Sequence, residues 1–148
     1  MKNTTDYQTD FYAWALHNAN LLRQGNFSEL DIKHIAEELE SMGKNNKREL
    51  TSRFKILLAH LLKWQYQPDY RGRSWRSSIV EQRSEIIDLT EENPSLRPLF
   101  NESVANAYPK AIQFAVKETG LPANTFPLTC PYSLEQILNE DFYPETDE

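Results

Sequence analysis

Cysteine and glycine are scarce in this sequence of 148 residues, and each scarcity excludes a class of protein. The one cysteine, Cys130, has no second thiol in the sequence with which to form an intramolecular disulfide. The four glycines are isolated from one another, which disfavours a fold of many tight turns and excludes a glycine-rich phosphate loop. The polar opening MKNTTDYQTD contains no apolar signal region, so together with the lone cysteine it predicts a cytoplasmic protein.

Long apolar runs and catalytic motifs are missing as well. The longest apolar run extends from Ile56 to Leu62 and is interrupted by His60, far short of the ~20 residues that cross a bilayer. The nucleophile motif G-x-S-x-G and the zinc motif H-E-x-x-H do not occur. We therefore expect no membrane association and no cofactor, and the sequence gives no positive support for an enzyme.

Apolar residues recur at helical spacing, which predicts an all-α protein of four principal helices in a bundle. We expect a single helical domain over residues 1–148, with residues 1–8 and 144–148 frayed. The first helix is predicted to be capped by Thr9 or Asp10 and to end near Gln24, where Gly25 suits a left-handed C-cap. Its apolar stripe consists of Phe11, Trp14, Ala15, Asn18, Leu21 and Leu22.

Gly43 leaves two interpretations of the second helix, one continuous helix or two helices separated by a break. Ser28 and Asp31 can cap its start, while Gly43 and a possible capping box from Asn46 to Glu49 would allow a break. The apolar phase continues without a slip across Gly43, which favours one helix over about 31–66, bent at that glycine. Its buried positions are predicted to be Ile32, Ile35, Ala36, Leu39, Met42, Leu50, Phe54, Leu57, Leu61 and Trp64.

The remaining elements follow from caps and prolines. Ser74 is predicted to cap a third helix that buries Ile79, Ile86 and Ile87 and ends before Pro94. A fourth helix from about Ser95 to Thr119 contains Pro109, so we expect a kink or two abutting helices. Four prolines after Gly120 predict an extended strap over the bundle, interrupted by one short helix with a capping box at Ser133 and Gln136.

Positive charge is concentrated in one segment of an otherwise acidic chain. Between Lys44 and Arg83 there are ten basic and three acidic residues, a balance of +7, whereas the whole chain carries -6. Within this segment, cations alternate with aromatic rings, a mixture typical of nucleic-acid binders. Residues 63–76 are therefore a candidate site for nucleic acid or another polyanion, through Lys63, Trp64, Tyr70, Arg71, Arg73, Trp75 and Arg76.

The favoured alternative is that the tryptophans belong to the core and the arginines pair with the acidic face Glu37, Glu38 and Glu40. Exposed aromatic residues also suit a non-enzymatic protein-interaction module, with an unknown protein partner or a second copy of the chain. The tyrosines and phenylalanine in question are Tyr7, Tyr66, Tyr70, Phe142 and Tyr143.

A metal-dependent enzyme is the third hypothesis. Helical bundles build carboxylate-rich metal sites from facing helices, and His34, Glu37, Glu38 and His60 are the available ligands. The di-iron pattern requires two Glu-x-x-His units and this chain has none, so we predict no metal ligand.

Three strings resemble a known family: DFYAWAL from Asp10, HIAEELESMG from His34, and LLAHLLKWQYQP followed by RSWRSSI. The family is the cyanobacteria-rich bacterial one catalogued as the twenty-ninth domain of unknown function. The resemblance covers roughly residues 10–144 and implies an all-helical bundle in a bacterial cytoplasm. It implies no activity, ligand or catalytic residue.

Overall fold

The structure, a computed structural model, describes residues 6–145. These residues contain five α-helices and no strand, which confirms the all-α prediction with four principal helices and a short terminal one. The α-helices are α1 (Phe11–Gln24), α2 (Ile32–Tyr66), α3 (Arg73–Glu92), α4 (Phe100–Thr119) and α5 (Leu134–Leu138). Short 3-10 helices lie at Phe27–Glu29, Pro68–Tyr70, Pro94–Leu99 and Ala123–Thr125.

The described chain divides into two compact units, one ending at Lys44 and the other beginning at Asn45. The prediction of a single domain is not decided by this division and stays a prediction. The predicted frayed ends fall largely on residues 1–5 and 146–148, which lie outside the described part. None of the helices within 6–145 combines the length and the apolar character needed to span a membrane.

The caps of α1 and the continuity of α2 agree with the sequence. Asp10 accepts a hydrogen bond from the backbone N–H of Ala13, and Gly25 ends α1 with a φ of 71°. Helix α2 runs through Gly43 as one element of 35 residues, as the unbroken apolar phase predicts. Its start is capped by Asp31, whose carboxylate accepts from the backbone N–H of His34.

Two predicted helix starts are wrong. Helix α3 begins at Arg73 after Gly72, so Ser74 lies inside its first turn instead of capping it. Helix α4 begins at Phe100, because Pro94 and Pro98 confine the preceding residues to a 3-10 helix. Helix α4 then continues through Pro109 as one element.

The core of the unit after Lys44 is built by the second half of α2, α3, α4 and the C-terminal strap. Arg53 of α2 contacts Glu85 of α3, while Lys63 lies over Trp75, so α2 and α3 are antiparallel. The strap is apolar where it crosses the helices, and its capping box at Ser133 is present as predicted. Fully buried core residues include Leu50, Phe54, Leu57, Leu61, Ile79, Ile86, Ala111 and Ile137.

Candidate functional site

The unit before Asn45 is an α-helical hairpin held by a polar network. Asp31 accepts from Trp14 Nε1 at 2.8 Å and lies 2.7 Å from His34 Nδ1. Asn18, itself buried, accepts from the backbone N–H of Asp31 and donates to the Trp14 carbonyl, both at 3.0 Å. The hydrogen bond to His34 is the main reason that the pKa of Asp31 is lowered. These bonds fix α1 against the start of α2.

Tyr7 precedes α1 and contacts two residues of α2, His34 and Glu38. Its ring stacks on His34 with 4.2 Å between ring centroids, and its hydroxyl donates to Glu38. That bond, together with the negative charge of Glu38, raises the pKa of Tyr7 to about 12. Tyr7 therefore makes its contacts inside the hairpin.

Apolar side chains are exposed on this hairpin to an unusual degree. Of twelve exposed large hydrophobic residues in the described chain, eight lie between Phe11 and Met42. We call four of them the hairpin face: Phe11 of α1, and Ile32, Leu39 and Met42 of α2. The sequence-based prediction that Ile32, Ala36, Leu39 and Met42 are buried is wrong, and Phe11 and Leu22 are also exposed.

The basic segment 63–76 is divided between core and surface. Lys63 and Trp64 are buried, and Trp75 is half-buried under the Lys63 ammonium, whose Nζ is 4.8 Å from its ring centroid. Burial lowers the pKa of Lys63. Tyr70 and Arg73 are exposed. The expectation that Trp64 is core is confirmed.

Two arginines of this segment bind the end of the chain. Arg71 donates from Nε to the Trp64 carbonyl at 2.7 Å and from a terminal nitrogen to the Pro144 carbonyl at 3.5 Å. Arg76 lies over the rings of Trp64 and Tyr143, 5.3 and 4.8 Å from their centroids. These contacts stabilise the strap, and binding of a polyanion by residues 63–76 stays a prediction.

Arg83 is a structural residue that the sequence reasoning missed. Only 3% of it is exposed, and its guanidinium donates to the carbonyls of Ile137 and Phe142, both at 2.8 Å. Weaker bonds reach the carbonyls of Gln136 and Glu140 at 3.3 and 3.5 Å. Its position four residues after Ile79, on the buried face of α3, was the available signal.

The proposed metal ligands serve other contacts. His34 is bound to Asp31 and stacked on Tyr7, and Glu38 accepts from Tyr7. His60 lies in the other unit, where Nδ1 is 2.8 Å from the Ile56 carbonyl. Within residues 6–145, no three His, Cys, Asp or Glu side chains are grouped so as to hold a metal ion.

We expect His60 to make the protein less stable in mild acid. A carbonyl only accepts, so the Ile56 contact requires a proton on Nδ1, which the neutral ring supplies. Burial, and to a lesser degree the Lys63 charge, lowers the pKa of His60. The folded state therefore favours the neutral ring, and stability present above about pH 6.5 is lost as pH falls towards the folded pKa.

The measurement is urea denaturation between about pH 7.5 and 5, spanning the ordinary histidine pKa. His60→Gln should flatten the fall in unfolding free energy over this range, while His17→Gln, at an exposed position, should leave it intact. An unchanged slope in His60→Gln would show that other groups cause it.

Comparison with known proteins identifies the family. The family model described as "Domain of unknown function DUF29" matches residues 7–143. Searches of curated proteins and of solved structures returned no match. The matched range covers α1 to α5 and the connections between them, including the hairpin and the strap. The chain therefore belongs to the DUF29 family, a domain whose function is unknown.

Proposed function

We propose that this protein is a non-enzymatic interaction module that associates with a second copy of itself through the hairpin face. The observation that carries the proposal is the concentration of exposed apolar side chains between Phe11 and Met42. Scattered apolar residues are normal on a protein surface, but a contiguous patch marks an interaction site.

Phe11 of α1 and both Ile32 and Leu39 of α2 lie on the same side of the hairpin. Tyr7 contacts His34 and Glu38, whereas Trp14 contacts Asp31, so α1 and α2 are antiparallel. At about 100° per residue, Phe11, Ile32 and Leu39 are rotated by about 50° to 110° from the line along which their helix contacts the other, in the direction of increasing residue number. In an antiparallel pair these rotations point to the same side of the hairpin, whereas Tyr12 and Leu16 lie on the side of α1 that faces away from α2.

The α2 part of the face suits a two-fold axis. Ile32, Ile35, Leu39 and Met42 are spaced by three, four and three residues, a pattern that is the same in both directions. A two-fold axis that crosses α2 at the height of Glu37 places Ile32 opposite Met42 of the other copy. The same axis places Ile35 opposite Leu39 of the other copy. Such self-complementarity is what an isologous dimer requires.

The exposure of these residues agrees with this arrangement. The four residues of the hairpin face have exposures of 50% to 68%, so each has apolar surface to bury against the second copy.

The test is the oligomeric state of the full chain, measured by sedimentation across a wide concentration range. We expect a dimer that Leu39→Glu weakens at least 100-fold, because two carboxylates would be buried without partners. Leu39 is 64% exposed, so the change should not prevent folding. Leu128→Glu is the matched control, since Leu128 is 96% exposed and lies outside the hairpin.

A second position tests the register. Ile32→Glu should also weaken the dimer, because the same axis buries Ile32 against Met42 of the other copy. A wild-type monomer at every concentration would refute the proposal, as would equal effects of the Leu39 and Leu128 variants.

A further inference from the structure

A second surface, in the unit after Lys44, has a different chemistry. Two adjoining open grooves of about 470 and 500 Å³ lie along α2 and α4 and share Lys55 and Lys110. We propose that this basic groove binds the phosphate backbone of a single-stranded nucleic acid. Its lining cations are Lys47, Arg48, Lys55, Lys110 and Lys117.

The cations form two rows along the groove. On α2, Lys47, Thr51 and Lys55 are four residues apart and share one face; on α4, Asn106 and Lys110 repeat the spacing. The two helices run parallel, because Lys47 contacts Glu102 while Lys63 lies near Phe114. The rows therefore advance in the same direction on both sides of the groove.

Most of this positive charge has no protein counter-ion. Among the residues that the structure describes, the groove cations make one ion pair, between Lys47 and Glu102 at 3.1 Å. Arg48 contacts the side-chain oxygen of Asn45 at 3.4 Å, and Lys55 lies 6.0 Å from the centroid of Phe114. A concave surface lined by one sign of charge concentrates its field and attracts an anion, even in a chain of net charge -6.

The neutral groups of the groove suit phosphate and sugar contacts. Thr51, Ser52 and Asn106 line one part and Gln113 the other, supplying hydroxyl and amide donors between the cations. Phe114 is half-buried and packs near His60, which leaves little ring surface for stacking. We therefore infer recognition of the backbone with little preference for base sequence.

The length of the groove sets the size of the strand. From the level of Glu102 to Lys117, α4 rises about 22 Å at 1.5 Å per residue. Binding sites for single strands begin at about four nucleotides, which this length accommodates. We therefore assign the groove to one strand, and a duplex is the competing ligand in the test.

The experiment measures fluorescence anisotropy of a labelled 12-nucleotide single strand, as DNA and as RNA, across a salt series. Four or five phosphate contacts predict a slope of log affinity against log salt of about -3, from -0.7 per contact. Lys55→Gln with Lys110→Gln should weaken binding at least 10-fold and reduce the slope by about 1.4. Thermal melting checks that this variant is folded.

The comparison variant is Arg73→Gln with Arg76→Gln, which removes the same number of charges from segment 63–76. We expect it to weaken binding less than 2-fold. An equal loss in the two double variants would overturn the proposal, because overall charge would then explain binding. A larger loss in the arginine variant would assign binding to segment 63–76 instead. Absence of binding at 50 mM salt, tighter binding of duplex, or displacement by poly-glutamate at equal charge would also refute it.

Discussion

Replacing Arg83 by methionine is expected to lower the free energy of unfolding by about 2–5 kcal/mol, because two buried carbonyls lose short hydrogen bonds to a charged donor. The substitution removes the 2.8 Å hydrogen bonds to the carbonyls of Ile137 and Phe142 and the longer ones to Gln136 and Glu140, of which the Gln136 carbonyl still accepts from the backbone N–H of Asn139. An unsatisfied buried polar group costs about 1–3 kcal/mol. Methionine keeps much of the apolar volume, so the loss reports the hydrogen bonds.

Two further variants separate this role from charge alone. Arg83→Lys keeps the positive charge but cannot reach several carbonyls with a planar fork, so it should recover only a minor part of the lost stability. Arg97→Met, at an exposed position, should change stability by less than about 0.5 kcal/mol. The measurements are urea denaturation and limited proteolysis, in which the segment after Ser133 should become the first site of cleavage. A loss below 1 kcal/mol in Arg83→Met would contradict the structural role.

Local sequence signals predicted the helices well because they depend on neighbouring residues. The cap at Asp10, the left-handed Gly25 and the capping box at Ser133 each satisfy backbone groups within four residues. The unbroken phase through Gly43 likewise favoured one helix, as the structure has it. Ser74 failed as a cap because Gly72 already adopts an extended conformation and caps the helix, which begins two residues earlier than predicted.

The sequence predicted the buried residues correctly for the second half of α2 but not for the first half. Periodicity states which face of a helix is apolar, but it does not state whether another element covers that face. From Leu50 onwards the stripe is covered by α3, α4 and the strap, whereas Ile32, Leu39 and Met42 remain exposed. That difference was invisible in the sequence and is the basis of the proposed self-association.

The candidate sites depended on contacts between distant parts of the chain. Arg71 meets Pro144 across 73 residues, and Arg83 meets Ile137 across 54. A count of charged residues along the sequence identified the basic excess after Lys44. Only the packing of α4 beside α2, however, places Lys110 near Lys55. The sequence therefore predicted the kind of charge and not the surface on which it is assembled.

Phe54 and Leu39 lie on the same stripe of α2 but differ in burial, which gives a direct test of this fold. Phe54→Ala is expected to lower the free energy of unfolding by about 3–5 kcal/mol, because it leaves a cavity in a packed core. Phe54 has no exposed surface, and its ring meets Phe100 of α4 edge to face at 5.6 Å between centroids. The measurement is chemical denaturation, followed by the fluorescence of Trp64 and Trp75 in the same unit.

Leu39→Ala is the matched change on the same stripe of the same helix, fifteen residues earlier. Because Leu39 is 64% exposed, the dilute protein should lose less than about 0.5 kcal/mol. At high concentration the two-fold association would raise the free energy of unfolding, since a partner that binds only the folded state stabilises it. Leu39→Ala weakens that association, so its effect on the free energy of unfolding should grow with concentration. A large, concentration-independent cost would mean that Leu39 is buried within one copy, contradicting both the exposed stripe and the association built on it.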